Sequence, residues 1–216
     1  MPENYLVEDS LFLFDAMDAM DSLPLIILYE PRVLIRHGLC LQLQELGHQV
    51  IACLSPDQLT EEICSQSDAP KVLLVGAAGL EGMLGKILRT LHFTKTLSLK
   101  TVVYLPQKEE LLTRLFIASG ASYCLTEDEL GSRLPLMIND VSLRTVRGKH
   151  FSLSELNVLL DYSSGLQTQE IATRRHCNYK TVFTFKRNAR LRLDIDTKAG
   201  WMNLLSAMAQ LSSYCK

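Results

Sequence analysis

Between Tyr179 and Arg192 the chain reads YKTVFTFKRNARLR, with five cations, two threonines, two phenylalanines and no acid in fourteen residues. Guanidinium and ammonium groups suit phosphates and the acceptor edge of guanine, while methyl-bearing and aromatic side chains suit thymine methyls. This stretch therefore carries the chemistry of double-stranded DNA recognition. Other reactive side chains are dispersed. His37, His48, His92, His150 and His176 stand alone, with no nucleophile–base pairing. The six cysteines, Cys40, Cys53, Cys64, Cys124, Cys177 and Cys215, form no CxxC pair and no metal-ligand spacing. No catalytic residue, metal or cofactor is expected, and the chain does not read as an enzyme. Gly76-Ala77-Ala78-Gly79-Leu80-Glu81-Gly82 superficially resembles a dinucleotide-binding turn. It follows the third strand rather than the first, and the next strand ends in Leu105-Pro106 rather than an acid for a ribose. The preferred reading is a tight turn of small residues.

The residues before this stretch set up the elements that would position it. Ser152 with Glu155 three residues later predicts a capping box at the start of a helix. Gly165 can end that helix in a left-handed conformation. Thr168 is expected to cap a second short helix, with Ile171 and Ala172 packing inward. In the third helix Val182, Phe185, Ala189 and Leu193 recur at helical spacing as a buried stripe, with Asn178 placed to cap it. Two short helices, a tight turn and a basic third helix make a helix-turn-helix. A final helix from Thr197 to about Leu211 carries Trp201, Leu204, Leu205, Met208 and Leu211 on one side.

The motifs resemble those of LuxR-type helix-turn-helix domains. Ser152-Leu153-Ser154-Glu155-Leu156-Asn157-Val158-Leu159 is followed by Gly165-Leu166-Gln167-Thr168-Gln169-Glu170-Ile171-Ala172. Lys180-Thr181-Val182 and Arg192-Leu193 follow at the family's spacing. The resemblance implies that Phe183, Thr184 and Arg187 face the major groove, with Arg187 forking onto guanine. It implies phosphate contacts from Lys180, Thr181, Lys186 and Arg190. Phe183 departs from the polar residue common at its position, which leaves its base preference open. In this family the last helix closes the bundle and often contributes to dimerisation, so its outer edge is a candidate dimer contact.

From Leu25 onward short apolar runs alternate with amphipathic segments. The strand candidates are LIILY (25–29), QVIAC (49–53), KVLLV (71–75), KTVVYL (100–105) and SYCL (122–125). Nearly continuous apolar strands are expected of a parallel sheet covered on both faces. The helical segments begin at Pro31, Asp57, Leu80, Gln107 and Asp128. Five βα repeats predict a doubly wound α/β domain. Order and lengths resemble the receiver domain of a response regulator over residues 24–143. In that family two carboxylates after the first strand hold Mg²⁺, an Asp ending the third accepts phosphate, and Thr/Ser and Lys after the fourth and fifth complete the site. Here Tyr29-Glu30-Pro31 offers one acid, and Leu74-Val75-Gly76 offers no acceptor. The fourth and fifth strands end in Tyr104-Leu105-Pro106 and Leu125-Thr126-Glu127. The resemblance thus implies a degenerate receiver that is not phosphorylated on aspartate.

Charge is unevenly spread along the 216 residues, whose formal net charge is −2. Residues 1–24 carry six acids and no Lys or Arg, while residues 144–216 carry twelve basic and five acidic residues. The expected organisation is an acidic extension (1–23), a receiver-like α/β domain (24–143), a basic linker (144–150) and a helix-turn-helix domain (151–216). The acidic start is a poor signal peptide, and no run approaches the roughly 18–20 apolar residues of a membrane span. The scattered cysteines suit a reducing cytosol. The whole resembles a NarL/FixJ-like response-regulator transcription factor. It implies a cytoplasmic DNA-binding regulator, nucleoid-associated when bound, acting as a homodimer or as a heterodimer with a related regulator. The alternative is a protein-interaction module that sequesters such a regulator with little DNA binding of its own.

Overall fold

The computed structural model describes residues 23–66, 69–80, 82–139 and 149–211. The acidic extension up to residue 22 and linker residues 144–148 lie outside the described residues. Five strands, β1 (Leu25–Tyr29), β2 (Val50–Cys53), β3 (Lys71–Gly76), β4 (Lys100–Leu105) and β5 (Tyr123–Thr126), pair in parallel in the order β2-β1-β3-β4-β5. Between and after them run α1 (Val33–Glu45), α2 (Pro56–Cys64), α3 (Leu84–Thr96), α4 (Glu110–Ser119) and α5 (Leu130–Asn139). The predicted doubly wound α/β fold is observed.

Strand side chains alternate between two cores. Ile27, Tyr29, Leu73, Val75, Val103 and Leu105 pack beneath α2, α3 and α4. Ile26, Leu28, Val72, Leu74, Val102 and Tyr104 pack beneath α1 and α5 through Leu39, Leu43, Leu130, Leu134 and Ile138. All five helix starts differ from the sequence reading, with α2 beginning one residue earlier at Pro56, α4 three later at Glu110 and α5 two later at Leu130. Helix α1 begins at Val33 with Arg32 at its N-cap, so Pro31 precedes the helix. Helix α3 begins at Leu84 rather than Leu80, because Gly79 and Gly82 take left-handed φ values of 71° and 64°.

The helical unit contains α6 (Leu153–Ser163), α7 (Thr168–Arg174), α8 (Tyr179–Arg192) and α9 (Lys198–Leu211). It does not stand apart from the sheet unit. One apolar cluster runs from the β-sheet through α3 and α4 to Leu156, Leu160, Leu193, Trp201 and Met208. Polar contacts cross the same boundary: Arg89 Nε donates to Asn157 Oδ1 at 3.0 Å, Arg114 to the Leu193 carbonyl at 3.1 Å, and the Phe151 amide to the Ala118 carbonyl at 2.9 Å. The stripe on α9 is consumed here, with Trp201, Leu204, Met208 and Leu211 buried and the exposed Met202 outside it. No described helix is long and apolar enough to cross a membrane.

Candidate nucleic-acid interface

The local chain chemistry fixes the turn between α7 and α8. Helix α6 starts on the capping box foreseen at Ser152 and Glu155, and ends with Gly165 at φ 86°. Helix α7 starts differently from expectation. Gln167 is its N-cap and forms a capping box with Glu170, while Thr168 lies one residue inside. The Thr168 hydroxyl instead pairs with Tyr162 Oη at 2.8 Å. After α7 the Cys177 amide reaches back to the Ala172 carbonyl at 3.0 Å, and the His176 amide to Thr173 at 3.2 Å. This is a Schellman closure, with His176 in the left-handed position at φ 50°. Asn178 then caps α8, its Oδ1 accepting from the Lys180 amide at 2.9 Å.

One face of α8 is committed to the interior. Val182, Ala189 and Leu193 are fully buried, and Val182 meets Val158, Ile171 and Ala172 in a small core under the turn. Two buried acids hold the frame. Asp161 on α6 binds Arg175 through Nε and lies 3.4 Å from Arg174, while Glu155 lies 3.3 Å from Arg192. Tyr162 and Trp201 meet edge to face with centroids 5.8 Å apart.

The seven residues singled out from the sequence divide into two groups. Lys180, Phe183, Thr184 and Arg187 share the exposed face of α8. They fall at i, i+3, i+4 and i+7, a stripe of about 10 Å at a rise of 1.5 Å per residue. Arg187 has no hydrogen-bond or ion-pair partner among the described residues. Thr184 Oγ1 donates to the Lys180 carbonyl at 3.1 Å, and the residue is exposed. Thr181 sits half-buried at the shoulder of this stripe.

Lys186 and Arg190 point elsewhere. The Lys186 ammonium lies 4.4 Å above the Tyr162 ring and 5.4 Å from the Trp201 ring. Burial, and then the nearby Arg190 and Lys198 charges, push its pKa below the ordinary lysine value. Arg190 Nε donates to the Ile195 carbonyl at 3.1 Å, and its Nη2 to that of Asp196, which closes the α8–α9 loop. Tyr179, absent from the sequence-derived set, is 48% exposed and packs edge-to-face on the 52% exposed Phe183, with centroids 6.2 Å apart. Its position four residues before Phe183 was the available signal.

At the C-terminal ends of the strands, where doubly wound sheets place their ligands, the structure is closed upon itself. Glu30, only 1% exposed, follows β1. Its Oε1 accepts from the Arg32 amide at 2.8 Å and from Arg32 Nε at 2.9 Å. Its Oε2 accepts from Arg32 Nη2 at 2.8 Å and from Tyr104 Oη at 2.5 Å. Arg32 also lies 2.8 Å from Glu127, beyond β5. Burial and the Glu30 charge hold the Tyr104 phenol far above its ordinary pKa. Gly76, ending β3, abuts this group: a Cβ there would lie 2.2 Å from Glu30 Oε2 and 2.8 Å from Tyr104 Oη. Among the described residues no three His, Cys, Asp or Glu side chains are grouped to hold a metal ion.

No protein-family model matches the sequence, and no curated protein matches it. Solved structures do. RcsB from Salmonella enterica serovar Typhimurium, bound to promoter rprA in the presence of phosphomimetic BeF3⁻, is 17% identical, with 86% of this chain and 99% of that chain covered and a TM-score of 0.51. Full-length FixJ from B. japonicum is 14% identical over 88% of this chain and 98% of that chain, with a TM-score of 0.42. The likeness shows that the two units together share the fold of RcsB, a two-component response regulator. It is a likeness of fold alone.

Proposed function

We propose that this chain is a sequence-specific DNA-binding regulator of the LuxR type, with α8 as its recognition helix. The observation that carries the reading is the stripe Lys180, Phe183, Thr184 and Arg187, exposed on a helix whose opposite face is locked into the small core. A helix about 10–12 Å across fits the roughly 12 Å wide major groove. Arg187 is free to fork onto guanine, and the paired rings of Tyr179 and Phe183 present an apolar surface to thymine methyls. Lys180, at the N-terminal end of the stripe, and Thr181 beside it reach the phosphates. Lys186 and Arg190 serve the domain rather than the DNA. That the similar RcsB fold was solved on a promoter supports the same use here.

The receiver-like unit (24–143) acts without aspartyl phosphorylation. Gly76 stands where an acceptor carboxylate is needed, and Glu30 fills the space beside it. The protein works in the cytoplasm as a dimer that places two recognition helices about one helical turn apart. Selection of duplexes from a random library by the full chain tests this. An enriched site with two related halves is the expected outcome, and a flat pool refutes it. A second reading, in which the chain chiefly pairs with another regulator, draws on the exposed Val33, Leu34 and Leu41 of α1, with Leu34 85% exposed. It predicts partner capture that survives Arg187→Ala and no enriched site.

A further inference from the structure

Between the two units lies a cleft of about 310 Å³, within the range of small-ligand pockets. Its walls are the first turns of α3, the end of α6, the end of α7 and one side of α9. Leu160 and Met208 give it an apolar floor, and Lys86, Arg89 and Arg174 line it together with the Asp161 carboxylate.

These cations are only loosely neutralised. Lys86 faces Asp57 at 3.1 Å, an exposed pair whose partners exchange cheaply. Arg89 is held by the neutral Asn157 carboxamide, so its charge has no counter-ion in that contact. Arg174 shares the single Asp161 carboxylate with Arg175. Four cations thus face two carboxylates among the described residues. Helix α3 also opens onto the cleft with no acid in its first turn and no side-chain cap at Met83, so the positive end of its dipole adds to the same field.

We propose that this cleft binds a small phosphomonoester, a metabolite whose dianionic phosphate is held by Lys86, Arg89 and Arg174 and whose organic body lies on Leu160 and Met208. Such a ligand touches α3 of the sheet unit and α6 and α7 of the helical unit together. It therefore stabilises this arrangement of the two units by binding across their boundary. The site is separate from the α8 stripe, and its existence does not depend on DNA binding.

Gly85 allows a decisive test. A Cβ there would meet Leu160 at 3.6 Å and Arg89 Nη1 at 3.8 Å, both ordinary contacts, so a side chain can start there without a clash. An aspartate in the first turn of a helix favours folding yet puts a negative charge where the phosphate would sit. The full chain is titrated with AMP, glucose 6-phosphate, inorganic phosphate and sulfate at matched ionic strength, with thermal unfolding and calorimetry as readouts. A saturable rise in Tm is expected from a phosphomonoester, with a smaller one from inorganic phosphate and none from sulfate beyond ionic strength. Arg89→Gln and Arg174→Gln are each expected to weaken binding about tenfold or more. Gly85→Asp should abolish it while leaving the ligand-free Tm unchanged or higher. Arg133→Gln, on α5 away from the cleft, should bind as wild type. Absence of a saturable response to every probe overturns the proposal. So does a response that persists in Gly85→Asp.

Discussion

Placing a carboxylate at the end of β3 by Gly76→Asp is expected to break the sheet unit rather than create a phosphorylation site. The added Cβ would stand 2.2 Å from Glu30 Oε2 and 2.9 Å from its Cδ, far inside contact distance. Glu30 has nowhere to retreat, because both oxygens are engaged by Arg32 and Tyr104 and the residue is 1% exposed. Displacing it gives up at least the two hydrogen bonds to Oε2, each worth about 1.5–3 kcal/mol because the acceptor is charged. Breaking a buried ion pair costs about 3–5 kcal/mol in comparable cases. A loss of about 3–5 kcal/mol is therefore expected, to which the second buried carboxylate adds. Urea unfolding gives the stability, and titration with Mg²⁺ and beryllofluoride gives the binding, for which no saturable response is expected. In a Glu30→Ala background the cost of Gly76→Ala should fall by more than half, because the obstructing carboxylate is gone. A Gly76→Asp protein within about 1 kcal/mol of wild type that binds beryllofluoride would refute this picture of a self-filled pocket.

Three further outcomes follow from side-chain placement. Lys186→Ala should lower stability by about 0.5–2 kcal/mol through the lost contact with Tyr162 and Trp201, with the salt slope of DNA binding unchanged, as measured by chemical unfolding and anisotropy. His176→Gly should stabilise the protein by about 0.5–1 kcal/mol, since glycine takes the left-handed turn without steric cost; equal or lower stability would count against the turn geometry. Burial, with Lys95 nearby, lowers the pKa of both His92 and His150. The unfolded chain then binds more protons than the folded one as pH falls below about 6.5. Stability should be full above that pH and decline below it, and unfolding midpoints at pH 7.5 and 5.5 compared with His150→Asn report the share of His150.

The fold was legible because each strand is a short apolar run bounded by turn residues, as a sheet buried on both faces requires. LIILY and KTVVYL match their strands to the residue. Helix starts were harder to read, since they depend on single backbone angles. The left-handed Gly82 delays α3, and the Gln167–Glu170 box takes the cap expected of Thr168. Within α8 the division of labour was in the spacing. Lys186 stands four residues after Val182 and three before Ala189, so it lies in the inward stripe. The family motif implies a phosphate contact for it, whereas its long stem lets the ammonium rest on the Tyr162 and Trp201 rings. Neither the joining of the helical unit to the core beneath α3 and α4 nor the closure of Tyr104 on Glu30 could be read from the sequence, because both join segments far apart in the chain.

If the outer stripe of α8 reads base sequence, its exposed arginine must discriminate between duplexes. The direct measurement is fluorescence anisotropy of the selected duplex and a scrambled one against salt, for wild type, Arg187→Ala and Lys186→Ala. Arg187→Ala is expected to lose about 1–3 kcal/mol of discrimination at one base position, while Lys186→Ala, once corrected for folded fraction, discriminates as wild type. Undiminished discrimination by Arg187→Ala, or a larger loss from Lys186→Ala, would contradict base reading by the stripe.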